Sequence, residues 1–234
     1  MKSYEIIEGY EHNTVNLTKD NSNNIYWNRK RIHYSMRYQW HVYIWAIELI
    51  NKYHYNNVVD VGCGAGVKLN ELIAPIVKNF VGIDQPSAIK FCKEAYSVGT
   101  YLSDDLESPD QEPGIQPELI ICCDVIEHLN DPDMLLAYLK RISNENTYFL
   151  ISTPDRDRLR GKGVRVCPNP SHIREWSATE FRRYINKSGF NIIEARYFPP
   201  LKMGLDLLTI VHIIRQIKPT RQWRYNYALL CSLK

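Results

Sequence analysis

Residues Val58 to Gly66 read Val-Val-Asp-Val-Gly-Cys-Gly-Ala-Gly, an apolar run that ends in glycines at every second position. The run predicts a short buried strand, a tight turn and the start of a helix. Glycines there let the chain turn with positive φ and let a ligand touch the backbone, while the helix start offers free N–H groups. The spacing is G-x-G-x-G, not the G-x-G-x-x-G of dinucleotide loops. Asp60 stands two residues before the first glycine. A carboxylate there repels a pyrophosphate but suits an ammonium group. Asp84 closes the next predicted strand, eighteen residues beyond Gly66, where a carboxylate can accept from two ribose hydroxyls.

The rest of the chain alternates strands with helices. Strands are expected near 58–61, 79–83, 101–104, 118–124, 148–153, 191–198 and 225–233. Helices are expected over 68–77, shortened or bent by Pro75, and over 87–95, 131–142 and 178–188. That order implies a parallel sheet with helices on both faces. Residues 25–53 contain neither glycine nor proline, and Trp27, Tyr34, Tyr38, Trp40, Trp45 and Ile47 to Ile50 recur at mixed helical spacings, so they read as a helical stretch. Residues 1–24 read as an irregular or loosely ordered arm.

At 234 residues and 44% hydrophobic content the chain can bury an ordinary core. A net charge of +3 is too small to imply a nucleic-acid partner. The six cysteines form no Cys-x-x-Cys pair, and Cys122 and Cys123 should point to opposite faces of one strand. This usage fits a reducing compartment, and no secretory signal is read in Met1 to Asp20, so a cytoplasmic location is expected. Leu205 to Ile217 is too short and too polar to span a bilayer. It reads as a packed helix or a homodimer surface.

These motifs resemble those of the class I, seven-stranded methyltransferases. Val58 to Gly66 is similar to their first motif, Gly82-Ile83-Asp84 to the second and Ser103-Asp104-Asp105-Leu106 to the third. Ile120 to Leu129, which contains Asp124-Val125-Ile126-Glu127-His128, is similar to the fourth. The resemblance covers about residues 55–198 plus the last strand. It implies a three-layer, doubly wound α/β fold, with a mostly parallel seven-stranded sheet and a final antiparallel strand. Residues 1–54 would be an N-terminal arm and helical lid, and 55–234 the methyltransferase domain, with a helical insert at about 199–224. The implied cofactor is S-adenosyl-L-methionine. Asp60, Gly62, Cys63, Gly64 and Gly66 would hold its methionine part, Asp84 its ribose and Gln85 its adenine. Asp104 or Asp105 would accept from the adenine amino group, with Leu106 packing beside it. Asp124 and Val125 would line the transfer cleft.

A sulfonium donor is already activated, so catalysis needs alignment, exclusion of water and a proton acceptor. His128 and His172 follow the fourth and fifth strands, on the edge of the sheet where ligands bind, and are the candidate bases. The plainer reading is that each only orders its loop. Asp124, Glu127, His128 and His172 also resemble the divalent-metal ligands of small-RNA 2′-O-methyltransferases and some ubiquinone-pathway enzymes. The expected acceptor is a hydroxyl of a small molecule or glycan sugar, because Asn169 to Ser177 resembles a segment of such enzymes. An RNA ribose 2′-O-methyltransferase and a catalytically silent cofactor-binding protein are the alternatives. The basic loop with Arg156, Arg158, Arg160, Lys162 and Arg165 could grip a phosphate or acidic glycan, or be an ordinary solvated loop.

Overall fold

Each central strand sorts its side chains onto two faces, and the two faces make two cores. In β1 (Asn57–Val61), Val59 and Val61 join one apolar cluster and Val58 the other. In β4 (Leu119–Cys123), Ile120 and Cys122 lie on one face and Leu119, Ile121 and Cys123 on the other. The adjacent cysteines therefore point apart, as period-two alternation requires. The computed structural model describes residues 3–20, 25–205, 207–216 and 222–234. Parts of the expected arm (1, 2 and 21–24) and of the expected insert (206 and 217–221) lie outside the described residues.

The remaining strands are β2 (Asn79–Asp84), β3 (Thr100–Ser103), β5 (Tyr148–Pro154), β6 (Phe190–Phe198) and β7 (Asn226–Leu233). Their order is β3-β2-β1-β4-β5-β7-β6, and β7 runs antiparallel to both of its neighbours. One core lies under α4 (Pro132–Arg141) and α6 (Ala178–Lys187). The other lies under α2 (Trp40–Tyr53) and α3 (Pro86–Ala95). The three-layer α/β fold with an antiparallel last strand is thus the observed one. The strand order reverses between β1 and β4, which opens a crevice at their carboxyl ends.

Four local expectations need correction. The helical stretch at 25–53 is two helices, α1 (Arg29–Ser35) and α2. Between them Gln39 adopts the left-handed conformation at φ 54°. Tyr38 bridges to Leu201, and Gln39 N donates to Pro200 O at 3.3 Å, so pairing with a distant segment overrides the local helical preference. The helix expected at 68–77 is a wide π turn over Leu69–Ile73 followed by a tight 3₁₀ turn over Ala74–Ile76. Pro75 lacks the N–H that a regular helix would need there. The arm is not loose over residues 3–20. It buries Ile6 and Tyr10, and Tyr4 O accepts the indole N–H of Trp176 at 2.9 Å.

The basic loop is the fourth correction. It begins with α5 (Arg156–Arg160), and two of its arginines are already engaged. Arg156, 2% exposed, makes a two-pronged pair with Glu180: Nη1 to Oε2 and Nη2 to Oε1, both 2.9 Å. Arg160 donates Nε and Nη2 to Glu175 at 2.9 and 2.6 Å. Both guanidiniums are already paired with carboxylates, so neither is a free cation for a phosphate or an acidic glycan. Removing one partner of such a buried pair strands the other charge, which costs about 3–5 kcal/mol. Arg156→Ala is therefore expected to lower stability to urea by about that amount. A loss below about 1 kcal/mol would show that Glu180 relaxes into solvent.

Candidate active site

The carboxyl ends of β1, β2 and β4 open into one cavity of about 1320 Å³. Gly62, Cys63, Gly64, Asp84, Gln85, Asp104, Asp105 and Leu106 line it, and so do Asp124, Val125, Glu127, His128 and His172. The sequence candidates for cofactor and acceptor thus share one cleft, apart from Asp60 and Gly66, which lie beneath its lining.

The glycine loop leaves no room for side chains. Gly62 sits at φ +86°, and a Cβ on it would lie 2.2 Å from Val125 Cγ2. Gly64 sits at φ +58°, and a Cβ there would lie 2.5 Å from the Trp27 ring. The loop is tied to the next strand: Gly64 N donates to Asp84 Oδ2 at 2.8 Å, and Gln85 N to Asp84 Oδ1 at 2.8 Å. The Trp27 side chain also donates to Asp84. Burial outweighs these three bonds and pushes the Asp84 carboxyl up to about 6.

Asp60 is fully buried behind the loop. The Tyr43 hydroxyl donates to its Oδ2 at 2.6 Å, while Oδ1 has no partner among the described residues. Burial pushes this carboxyl up to about 7, against the Tyr43 bond and the nearby Lys68. Lys68 is itself buried, stands over the Tyr43 ring at 5.0 Å and donates to Ser35 O at 2.9 Å. A buried carboxylate oxygen with nothing to accept is costly unless a donor arrives.

Asp104 and Asp105 separate clearly. Buried Asp104 accepts from three backbone N–H groups, those of Asp105, Asp110 and Gln111, so it shapes the loop. Half-exposed Asp105 pairs with Lys19 at 2.7 Å. The arm continues along this edge. Asp20 accepts from Ser87 N and Oγ, its own N donates to Gln85 Oε1 at 2.7 Å, and Gln85 Nε2 donates to Thr18 O.

Asp124 follows β4 with a left-handed backbone at φ 53°. Its Oδ1 accepts from Ser152 at 2.6 Å, and its Oδ2 from Gln39 and Asn226, both at 3.1 Å. The kink between α1 and α2 is what delivers Gln39 to it. The carboxylate is therefore fully subscribed. Among the described residues, the group whose ligand atoms all lie within 4.8 Å of one another is Glu127, His128 and His172, without Asp124.

The two imidazoles meet edge to face, with centroids 4.9 Å apart. Each is fixed through Nδ1: His128 against Ser171 O at 2.5 Å, His172 against Glu175 Oε1 at 2.9 Å. Glu175 shares its carboxylate between His172 and Arg160. Burial raises its pKa, but the bonds from Arg160 and His172 win and hold it at about 2. Burial, then the adjacent His172, push His128 down to about 3. Glu127 is fully buried; Thr153 donates to Oε2 at 3.2 Å and Oε1 has no partner among the described residues. Burial and Asp124 raise its pKa strongly. The arm also holds this edge, because Asn13 Nδ2 donates to the carbonyls of His172, Asn169 and Cys167 at 2.7, 2.9 and 3.3 Å.

Several residues in this network carried no motif: Trp27, Gln39, Tyr43, Lys68 and Glu175. Only Glu175 had a local signal, an acid three residues after His172 in a segment already singled out.

Comparisons with known proteins agree with this geometry. Residues 23–195 match the family described as a methyltransferase domain. The chain is 24% identical over 184 residues to a ubiquinone biosynthesis O-methyltransferase of Hahella chejuensis (strain KCTC 2396), covering 69% of this chain and 77% of that protein. It is 30% identical over 104 residues to the protein of the same name from Methylococcus capsulatus (strain ATCC 33009 / NCIMB 11132 / Bath), covering 42% and 43%. Among solved structures, an S-adenosylmethionine-dependent methyltransferase from Clostridium acetobutylicum ATCC 824 superposes with a TM-score of 0.60 at 13% identity, over 82% of this chain and 90% of that one. At that identity the likeness shows the shared fold.

Proposed function

The chain belongs to the methyltransferase-domain family and is a class I S-adenosylmethionine-dependent methyltransferase, and on that premise we propose that it methylates a hydroxyl of a small molecule or a glycan sugar. The observation that carries the acceptor reading is the Arg160–Glu175–His172 chain at the cleft. The distant similarity to small-molecule O-methyltransferases supports it.

The residues present fit the cofactor. Asp60 Oδ1 is a buried acceptor with no donor among the described residues, which an ammonium group reaching past the loop would supply, and the bare backbone of Gly62 and Gly64 allows close approach. Asp84 would accept from the ribose, Gln85 would lie along the adenine, and Asp105 would accept from its amino group. The bound donor supplies an activated methyl on sulfur. The protein then has to hold the acceptor in line, exclude water and remove one proton. His172 is the better placed base. Glu175 holds Nδ1 and stabilises the charged ring, leaving Nε2 to take the hydroxyl proton. His128, pushed down to about 3, is a weak base and serves as a neutral wall.

A second reading rests on the three-residue cluster. Glu127 Oε1 lacks a partner among the described residues, and both histidines have their Nδ1 fixed, as metal-bound imidazoles do. A carboxylate and two imidazoles suit a divalent cation that acidifies a hydroxyl.

Donor affinity should depend on pH through Asp60. A carboxyl whose pKa is raised to about 7 contributes stability that is complete below its ordinary value and lost as pH rises through about 7. A ligand ammonium beside it offsets that loss, so affinity rises over the same window. Titration calorimetry with S-adenosylhomocysteine is expected to show binding roughly tenfold weaker at about pH 6 than at about pH 8. Asp60→Asn should flatten the profile; an unchanged profile would place the ammonium elsewhere.

The acceptor reading is tested by incubating the protein with methyl-labelled donor and fractionated host extract, then identifying the product. The expected label is a methyl ether on a small molecule or sugar. Label on nitrogen, carbon or RNA would overturn it.

A further inference from the structure

Helix α7 (Leu207–Gln216) turns an apolar strip away from the protein. Its orientation is fixed by buried Thr209, whose hydroxyl oxygen accepts from Arg37 Nη2 and from Gly204 N. Arg37 also donates Nε to Lys202 O at 3.0 Å. Ile210, Ile213 and Ile214 then share one outward face at i, i+3, i+4 spacing and are 54%, 40% and 62% exposed. Exposed Met203 and Leu205 extend it on the preceding turn. Such a stripe normally packs on a core, and a contiguous exposed one marks an interaction surface.

The charge around the strip selects the partner. Residues 202–224 hold Lys202, Arg215, Lys218, Arg221 and Arg224 against Asp206 alone. That +4 exceeds the +3 of the whole chain, so the remainder is slightly acidic. Lys202 and Arg224 are exposed. A second copy docking face to face would set like charges against each other. An acidic surface would neutralise them. Exposed apolar side chains in a segment of cationic sequence suit a helix lying in the headgroup boundary of an anionic bilayer. Among the described residues no helix is long and apolar enough to cross a membrane, so contact would be at the surface only.

We propose that α7 and its flanking cations bind an anionic lipid surface, with Ile210, Ile213 and Ile214 seated among the acyl chains and Lys202 and Arg224 on the headgroups. Pro200 and Tyr225, at the two roots of this segment, line the cleft. The segment that carries α7 is therefore rooted at the edge of the cavity.

The test is flotation of the full chain with vesicles of phosphatidylcholine alone and of phosphatidylcholine with a third phosphatidylglycerol. Recruitment is expected to the anionic vesicles and to weaken with salt. The double variant Ile210→Asp, Ile214→Asp should bind them at least roughly tenfold more weakly, and Lys202→Glu with Arg224→Glu should also lose affinity. Unchanged melting temperature and S-adenosylhomocysteine binding would show that the variants fold. No recruitment, equal recruitment to neutral vesicles, or recruitment unaffected by the isoleucine variant would overturn the proposal. So would a concentration-dependent dimer that the isoleucine variant abolishes.

Discussion

Replacing Asp84 by Ala is expected to raise the dissociation constant for S-adenosylhomocysteine by a factor on the order of 10²–10⁴. Two hydroxyl groups donating to one carboxylate are worth about 1.5–3 kcal/mol each, and each 1.4 kcal/mol is about tenfold in affinity. The same carboxylate already accepts from Gly64 N and Gln85 N, so the variant should also melt lower. Trp27→Phe separates the two effects. It keeps an aromatic ring against Gly64 but removes the indole donor to Asp84. If Asp84 binds ribose, Trp27→Phe retains most of the affinity. If Asp84 only anchors Trp27 and the loop, the two variants will lose affinity alike. Calorimetry at matched folded fraction decides, and an Asp84→Ala constant within about threefold of the parent would remove the ribose assignment.

That most of the residues proposed to hold the donor meet at one cleft was legible in the sequence, because they lie on strand ends and the loops after them. Asp60, Gly62 and Asp84 occupy fixed offsets from apolar runs, and the sheet does the rest by aligning β1 with β2. The support for Asp60 was not legible. Tyr43 lies on an apolar, aromatic-rich helix whose residues read as core, and its neighbours Trp45, Ala46, Leu49 and Ile50 do join the core. Nothing in the spacing marks Tyr43 as the one whose hydroxyl meets a carboxylate. Gln39 reaches Asp124 only because the helix breaks there, and that break depends on pairing with Pro200 and Leu201, far along the chain. The arginines of α5 read as a solvated basic loop for the same reason. Their partners, Glu175 and Glu180, lie 15 and 24 residues away in sequence, and charge counting does not see tertiary pairs.

His172→Ala is expected to lower kcat by a factor on the order of 10²–10⁴ while leaving S-adenosylhomocysteine affinity unchanged. The ring follows β5, not the glycine loop or β2, and among the described residues its side-chain hydrogen bond is to Glu175. Glu175→Gln refines the assignment. It keeps an acceptor for Nδ1 but withdraws the charge that stabilises a protonated ring, so kcat should fall with KM little changed. A merely structural Glu175 would be rescued by the amide. Chelation tells base from metal. With His172 as base, a chelator leaves turnover intact. With a cation held by Glu127, His128 and His172, a chelator abolishes turnover, added divalent metal restores it, and a calorimetric metal isotherm disappears in Glu127→Gln. Full activity in His172→Ala would exclude both roles for this ring. It would leave Asn13, which clamps the His172 carbonyl at 2.7 Å, as the brace of a loop that only shapes the cleft.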